Sequence, residues 1–359
     1  MSDTTVPADS SSPVSLGRHR IGAGQPVLLI AEAGVNHNGS VETALRMVDA
    51  AKQAGADAVK FQMFRAADLV TGAAPTAAYQ NRATGESSQR VMLSRLELSL
   101  DYFRRIKEHC DSRAITFLAT PFGDTDVANL VKLGACALKI ASTDLASGPL
   151  LMAAAKTGLP IVLSTGASRE EEIRAAVTQL SDAGAAKRLV LLHCVSCYPA
   201  PVEALNLRAI ASLRRAFGVP CGFSDHTRST HTGAWAVAAG ACVLEKHFTL
   251  DPAAPGPDHA VSLNPDEMAE YIADVRRVET ALGDGRLGMA DCETPVRSVG
   301  TKSIVAARDI PIGTRITPDM LTLKRPGTGI PAARLEDVTG RRAAVAIQND
   351  TLVAWEMIR

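Results

Sequence analysis

Eight short apolar runs, each ending in polar residues and most followed by an amphipathic helical pattern, predict an α/β chain folded as a (β/α)8 TIM barrel over residues 19–283. A change of texture after residue 300, from helical patterns to short strands broken by Pro and Gly, predicts a small C-terminal β-rich domain over 301–359. The alternative for the larger part is an open doubly wound sheet. Against it, no G-x-G-x-x-G follows the first run, and "AGVNHNGS" has the wrong glycine spacing.

The strand candidates are 27–35, 58–64, 115–122, 137–142, 160–166, 189–196, 221–227 and 243–249. Between them lie segments such as "SVETALRMVDAAKQAG", in which Val41, Leu45, Val48 and Ala51 recur at steps of three and four and Gly55 supplies the stop. Residues 1–18 are rich in Ser, Thr and Pro and lack the apolar core of a signal peptide, so they read as a disordered tail. The stretch 65–98 is too long for a plain connection and is of the kind that shapes substrate pockets. Residues 284–300, Gly-rich at their start, read as a linker.

Lys plus Arg balances Asp plus Glu at 38 each, so no global field gathers nucleic acid or an acidic membrane. No run reaches the roughly 18 apolar residues of a membrane helix. The seven cysteines are an odd, scattered set suited to reduced thiols in a cytoplasmic protein. Cys194 and Cys197 form a C-x-x-C, but no second pair completes a zinc site.

Barrel chemistry is placed at the C-terminal ends of the strands. Here those ends carry Glu32 with Asn36, His37 and Asn38; Lys60 and Gln62; Thr120; Lys139, Ser142 and Asp144; Ser164 and Thr165; His193, Ser196 and Tyr198; Ser224, Asp225 and His226; and Glu245, Lys246 and His247. Within "GFSDHT", adjacent Ser, Asp and His cannot make a hydrolytic triad, because successive strand residues face opposite sides. Ser224 and His226 share a face, and His247 ends the next strand. Two histidines on neighbouring strand ends suit a divalent ion with open positions, or are hydrogen-bonded rim residues. Lys60, Lys139, Ser142, Ser164 and Ser224 on the same rim suit a phosphate and a carboxylate, unless the lysines are solvated or ion-paired.

Taken in order, "IAEAGVNHNG", "VKFQ", "ATPF", "KIAS", "LSTG", "LLHCVSCYPAP", "GFSDHT", "LEKHFTLD", "GPDHAVS" and "KRPGTGI" resemble the sialic acid (nonulosonic acid) synthases. Members pair a (β/α)8 barrel with an antifreeze-like (SAF) domain and condense phosphoenolpyruvate with an N-acetylated hexosamine. The resemblance implies a divalent metal, manganese or else magnesium or cobalt, on His226 and His247. It implies phosphoenolpyruvate on Lys60, Thr120, Lys139, Ser142, Ser164, Ser196 and Ser224. It assigns the amino sugar to Glu32, Tyr198, Asp258 and Arg325, the last delivered from the partner chain of a domain-swapped homodimer. Glu32 or Asp144 is the expected carboxylate for orienting water or shuttling a proton. Many makers of N-acetylneuraminate read "KIGSGE" where this chain has "KIASTD", so a glutamate is replaced by Asp144. "AAYQ", "SQ" and "LELS" in the long loop look more like members acting on diacetamido sugars of the legionaminate type. The rival expectations are another metal-dependent barrel lyase or aldolase, and a sugar-binding protein without turnover.

Overall fold

A computed structural model describes residues 12–359, in two compact units meeting at Gly283/Asp284. The larger unit opens with a short antiparallel hairpin, β1 (Val14–Leu16) and β2 (His19–Ile21). This corrects part of the tail expected over 1–18: residues 1–11 lie outside the described residues, but 14–16 are strand. Val14, Leu16 and Ile21 are buried against Leu28, Ile30, Val162, Val190 and Val243. The alternation V-S-L and H-R-I carries this hairpin, and the Ser/Thr/Pro-rich surroundings conceal it.

Eight parallel strands follow: β3 (Leu28–Gly34), β4 (Ala58–Met63), β5 (Thr116–Pro121), β6 (Leu138–Ile140), β7 (Ile161–Ser164), β8 (Leu189–Cys194), β9 (Cys221–Asp225) and β10 (Val243–His247). Their order is β5-β4-β3-β10-β9-β8-β7-β6, so the first and last of the series pair with each other, and β5 and β6 lie side by side to complete a near-closed barrel. Helices such as Val41–Gln53, started by Ser40, and Pro265–Leu282, started by an Asn264–Glu267 capping box, bury their apolar faces on the outside of the sheet.

Alternation along each strand divides the interior into layers. Leu28, Ile30, Ala58, Leu118, Val162, Val190, Leu192 and Val243 fill the lower interior, and the β1–β2 hairpin packs beneath them. One step further along the same faces stand Glu32, Lys60, Thr120, Lys139, Ser164, Ser224 and Glu245, all buried. Gly222 belongs to the inner apolar layer: a Cβ there would meet the Val243 carbonyl oxygen at 2.2 Å and a Leu192 methyl at 2.8 Å, so only glycine lets β9 close against its neighbours. A groove of about 730 Å³ opens at the opposite end, near the strand starts at Val27, Cys221 and Cys242. It is larger than the cavity at the charged layer but is lined by mainly apolar and glycine backbone, and Arg276 there is tied to Asp57 and Glu279.

The long segment after β4 is folded. It carries three short helices, Ala66–Leu69, Ala78–Thr84 and Gln89–Ser94. In the smaller unit, β11 (Ser303–Ala306) and β12 (Leu321–Lys324) pair antiparallel, and most other pairing is reduced to isolated bridges such as Ile310 with Ile347 and Ala343 with Ile358. Pro and Gly interrupt the ladders. Ile304, Ile316, Val338 and Val353 centre its own core. The stretch expected as a linker contains a helix, Thr294–Gly300. Among the described residues no helix is long and apolar enough to cross a membrane.

Candidate active site

Ladder register brings the charged tips together. Glu32 is paired with Lys60 on one side and His247 on the other, and Glu245 with Ser224. Neighbouring strands are about 4.8 Å apart, so these side chains meet over the barrel axis. Lys60 Nζ lies 2.6 Å from Glu32 Oε2 and 3.8 Å from Glu245 Oε2, and it donates to Thr120 Oγ1 at 3.1 Å. Lys139 Nζ is 3.5 Å from Glu245 Oε1, which also accepts from Ser224 at 2.9 Å. Gln62 donates to Glu32 Oε1 at 3.1 Å.

Burial opposes every charge in this cluster, and the partners decide the outcome. For Lys60, Glu245 and Glu32 outweigh burial and hold the ammonium above the usual lysine range. For Lys139, burial wins despite Glu245, and its affinity for a proton falls. Glu245, between the two lysines, overcomes its burial and is held down at about 2. Glu32 is pushed up by burial although Lys60 counters it. Asp258 is pushed up to about 7, by burial first and the Glu32 charge second.

One cavity of about 410 Å³ opens onto this layer. Twelve of the fourteen residues singled out from the sequence line it. From β3 to β5 come Glu32, Lys60 and Thr120; from β6 to β8 come Lys139, Ser142, Ser164, Ser196 and Tyr198; and from β9, β10 and the loop beyond come Ser224, His226, His247 and Asp258. Ser142 and Ser196 hydrogen-bond at 3.0 Å, and among the described residues the buried Ser164 hydroxyl has no partner.

His226 Nδ1 is 2.7 Å from the Val195 carbonyl oxygen. A carbonyl only accepts, so Nδ1 carries the proton and Nε2 offers a lone pair, 3.3 Å from the Tyr198 hydroxyl and 3.4 Å from Ser224 Oγ. The His247 ring is centred 5.4 Å from that of His226, and its buried Nδ1 has no partner among the described residues. Burial lowers the pKa of both imidazoles. Two neutral imidazoles, His226 with its Nε2 lone pair beside the Tyr198 and Ser224 hydroxyls and His247 with an Nδ1 unpartnered among the described residues, fit a divalent ion. Among the described residues no larger cluster of His, Cys, Asp and Glu forms a metal site, so further ligands would come from water or substrate.

Asp258 is presented by a stapled loop. His259 bonds Thr249 Oγ1 at 2.7 Å and Asn38 Oδ1 at 3.3 Å, Asn38 donates to the Pro255 carbonyl, and Ser262 donates to the Asp258 carbonyl at 2.6 Å. Asn36 completes the clamp through Phe248 O and Ser262. The "NHN" and "DHAVS" motifs therefore hold each other.

Two expected residues are placed elsewhere. Asp144 is not in the cavity lining: it ends the one-turn helix Ser142–Asp144, half-buried, and accepts from Thr143. Arg325 belongs to the smaller unit, exposed just beyond β12. Glu245 and Gln62 were visible as polar tips without a role, and the structure puts both in the lining. Tyr79, the tyrosine of "AAYQ" in the long insertion, stacks on Tyr198 with ring centroids 5.2 Å apart, a contact the sequence does not announce. Asp225 and Lys246 face away from the cavity and pair behind it at 3.0 Å.

A charged layer at the C-terminal mouth of a parallel barrel, with a carboxylate-bridged lysine pair and two neutral imidazoles, defines a barrel enzyme for anionic substrates. The sequence profile of the NeuB family matches residues 47–287, that of the SAF domain matches 301–359, and the chain belongs to the NeuB family. It is 40% identical over 346 residues to an N,N'-diacetyllegionaminic acid synthase of Legionella pneumophila, covering 94% of this chain and 96% of the relative. An enzyme of the same name from Campylobacter jejuni is 41% identical, over 91% of this chain and 98% of its own. Among solved structures, the N-acetylneuraminic acid synthetase of Leptospira borgpetersenii, in complex with citrate, superposes with a TM-score of 0.72 at 35% identity, covering 80% of this chain and 95% of that one. The chain is thus a synthase of the sialic, legionaminic and pseudaminic acid group.

Proposed function

We propose that the enzyme condenses phosphoenolpyruvate with the open-chain aldehyde of an N-acetylated hexosamine, N-acetylmannosamine or a diacetamido analogue, and releases a nine-carbon 2-keto sugar acid and phosphate. The observation that carries this reading is the single cavity joining a floor of two buried lysines and four serine hydroxyls to two lone-pair imidazoles and a wall carboxylate. Phosphoenolpyruvate needs cations for its phosphate and carboxylate: Lys60 and Lys139, although ion-paired with Glu32 and Glu245, supply them together with the hydroxyls of Thr120, Ser142, Ser164, Ser196 and Ser224. His226 and His247 would hold a divalent ion, whose chemistry when bound is Lewis acidity toward the aldehyde oxygen.

Carbon 3 of phosphoenolpyruvate forms the new bond to the aldehyde carbon, and the aldehyde oxygen ends as a hydroxyl. Carbon 2, left electron-poor, takes up water; its C–O bond to phosphate then breaks and the ketone forms. Glu32 orients that water and accepts its proton, a role we assign to it rather than to Asp144 because only Glu32 lines the cavity. Tyr198 and Asp258 hold the sugar. Arg325 of a partner chain, in a domain-swapped homodimer, binds its acetamido carbonyl.

The test is inorganic phosphate and 2-keto acid measured together, with phosphoenolpyruvate and a panel of amino sugars. Bridging oxygen-18 in phosphoenolpyruvate should depart with phosphate. Its retention in the sugar acid would mean P–O cleavage, and a panel without phosphate release would refute the reading.

A further inference from the structure

The two sides of the cavity differ in chemistry. The floor and the side under β8 to β10 are charged or hydroxylated. The side above β3 to β5 is apolar: Val35, Phe64 and Phe122 follow directly on those three strands, and Leu69, Met92 and Leu93 come from the helices of the 65–98 insertion. These six belong to one small apolar cluster, separate from the clusters that fill and surround the barrel. Phe64 and Phe122 meet edge to face at 5.9 Å. Val35, Phe64, Met92 and Leu93 are already buried, so the wall is formed before any ligand arrives.

Few polar groups serve that side. Gln62 is engaged by Glu32, Gln80 accepts from the Ala77 amide, and Tyr79 and Gln89 add one phenol and one amide from the insertion. The lysines of the lining, Lys60 and Lys139, are at the floor among carboxylates. A hydroxyl pressed against these six side chains exchanges water for apolar contact, and a phosphate there finds no cation of the lining.

We propose that this wall is a specificity subsite for the far end of the acceptor sugar, and that it selects a hexosamine ending in a methyl group over one ending in a hydroxymethyl or a phosphate. The inference rests on the condensing reading, which puts the acceptor's aldehyde over the floor and leaves its other end among these six side chains.

The experiment compares kcat/KM for 2,4-diacetamido-2,4,6-trideoxymannose, N-acetylmannosamine and N-acetylmannosamine 6-phosphate at saturating phosphoenolpyruvate. An apolar pocket rejects an added hydroxyl by about 10- to 100-fold. The deoxy sugar should therefore lead N-acetylmannosamine by that factor and the phosphate by more. Leu69→Gln, at a half-buried position that tolerates a polar group, should cut the lead about tenfold through the acceptor KM, leaving the phosphoenolpyruvate KM unchanged. Met92→Gln should do the same more strongly. Equal or better use of either other sugar would overturn the subsite while leaving the condensing reading standing. So would Leu69→Gln and Met92→Gln slowing all three sugars equally. Phosphate release with none of the three would overturn the condensing reading, and the subsite with it.

Discussion

Glu245→Gln isolates the electrostatics of the floor. Glu245 bridges Lys139 at 3.5 Å and Lys60 at 3.8 Å, and Lys60 keeps Glu32 at 2.6 Å when Glu245 is neutralised. Lys139 loses its nearest carboxylate. At an effective dielectric of about 20, an ion pair at this range is worth about 4 to 5 kcal/mol before desolvation is counted. Relief of the carboxylate's own burial offsets part of that, and breaking a buried pair costs about 3 to 5 kcal/mol in practice. We expect a loss of about 3 kcal/mol, toward the low end because Lys60 remains paired, and a fall in Tm of about 5 to 10 °C. The same substitution removes a negative charge from beside the proposed phosphate site, so phosphoenolpyruvate alone should bind about tenfold more tightly, about 1.4 kcal/mol. It should then raise the Tm of the variant by more than that of the parent, because ligand binding to the folded state stabilises it by mass action. Differential scanning fluorimetry with and without phosphoenolpyruvate, and calorimetric titration, measure both. An unchanged Tm, or phosphoenolpyruvate binding weakened by tenfold, would refute the reasoning.

Further outcomes are expected. His226→Ala and His247→Ala should each abolish tight manganese binding in equilibrium dialysis with the fold intact by circular dichroism, and chelator should silence the parent reversibly; full activity in chelator would exclude the metal. Asp258, raised to about 7 by burial and then by Glu32, holds a proton when folded that the unfolded chain, at about 3.9, releases. Its stabilising contribution is therefore complete below about pH 4 and is lost as pH rises through about 7. Asp258→Asn should flatten the decline in Tm between pH 5 and 8, and a profile parallel to the parent's would contradict the assignment. Arg325→Ala should raise the acceptor's KM by about 10- to 100-fold, the loss of one charged hydrogen bond, without moving that of phosphoenolpyruvate. Mixed dimers of Arg325→Ala and His226→Ala chains should regain one working site; no regain after verified subunit exchange would remove the cross-chain role.

The barrel was legible because parity and burial run together in it. Leu28, Ile30 and Glu32 share a face, so an apolar interior that turns charged at its last step can be read from spacing alone. The same rule would have found Glu245, which shares its face with His247 while Lys246 points away to Asp225. It failed at Asp144 because β6 ends at Ile140 and the next residues turn as a one-turn helix, where side chains no longer alternate. Ser142 and Thr143 reach the cavity and the next side chain does not. The partner of Tyr79 was out of reach for another reason: its contact with Tyr198 spans more than a hundred residues, and nothing local in "TAAYQN" announces a stacking partner. The hairpin at Val14–Ile21 was hidden by composition, since three-residue strands give a periodicity argument little to count.

That hairpin lies beneath the layer that sets the traffic through the molecule. The layer of Leu28, Val190, Leu192 and Val243 closes the lower barrel, Leu16 and Ile21 cap that layer from beneath, and whatever reaches the lysines must descend through the upper mouth. A guest at the bottom is then trapped beneath any guest above it. On the proposed condensation, the anionic substrate would board first and the sugar second, and the long product would depart before the small ion it covered. An ordered queue of this kind, visible as phosphate inhibiting competitively against the first substrate and noncompetitively against the second, would follow from an apolar floor closed at its lower end.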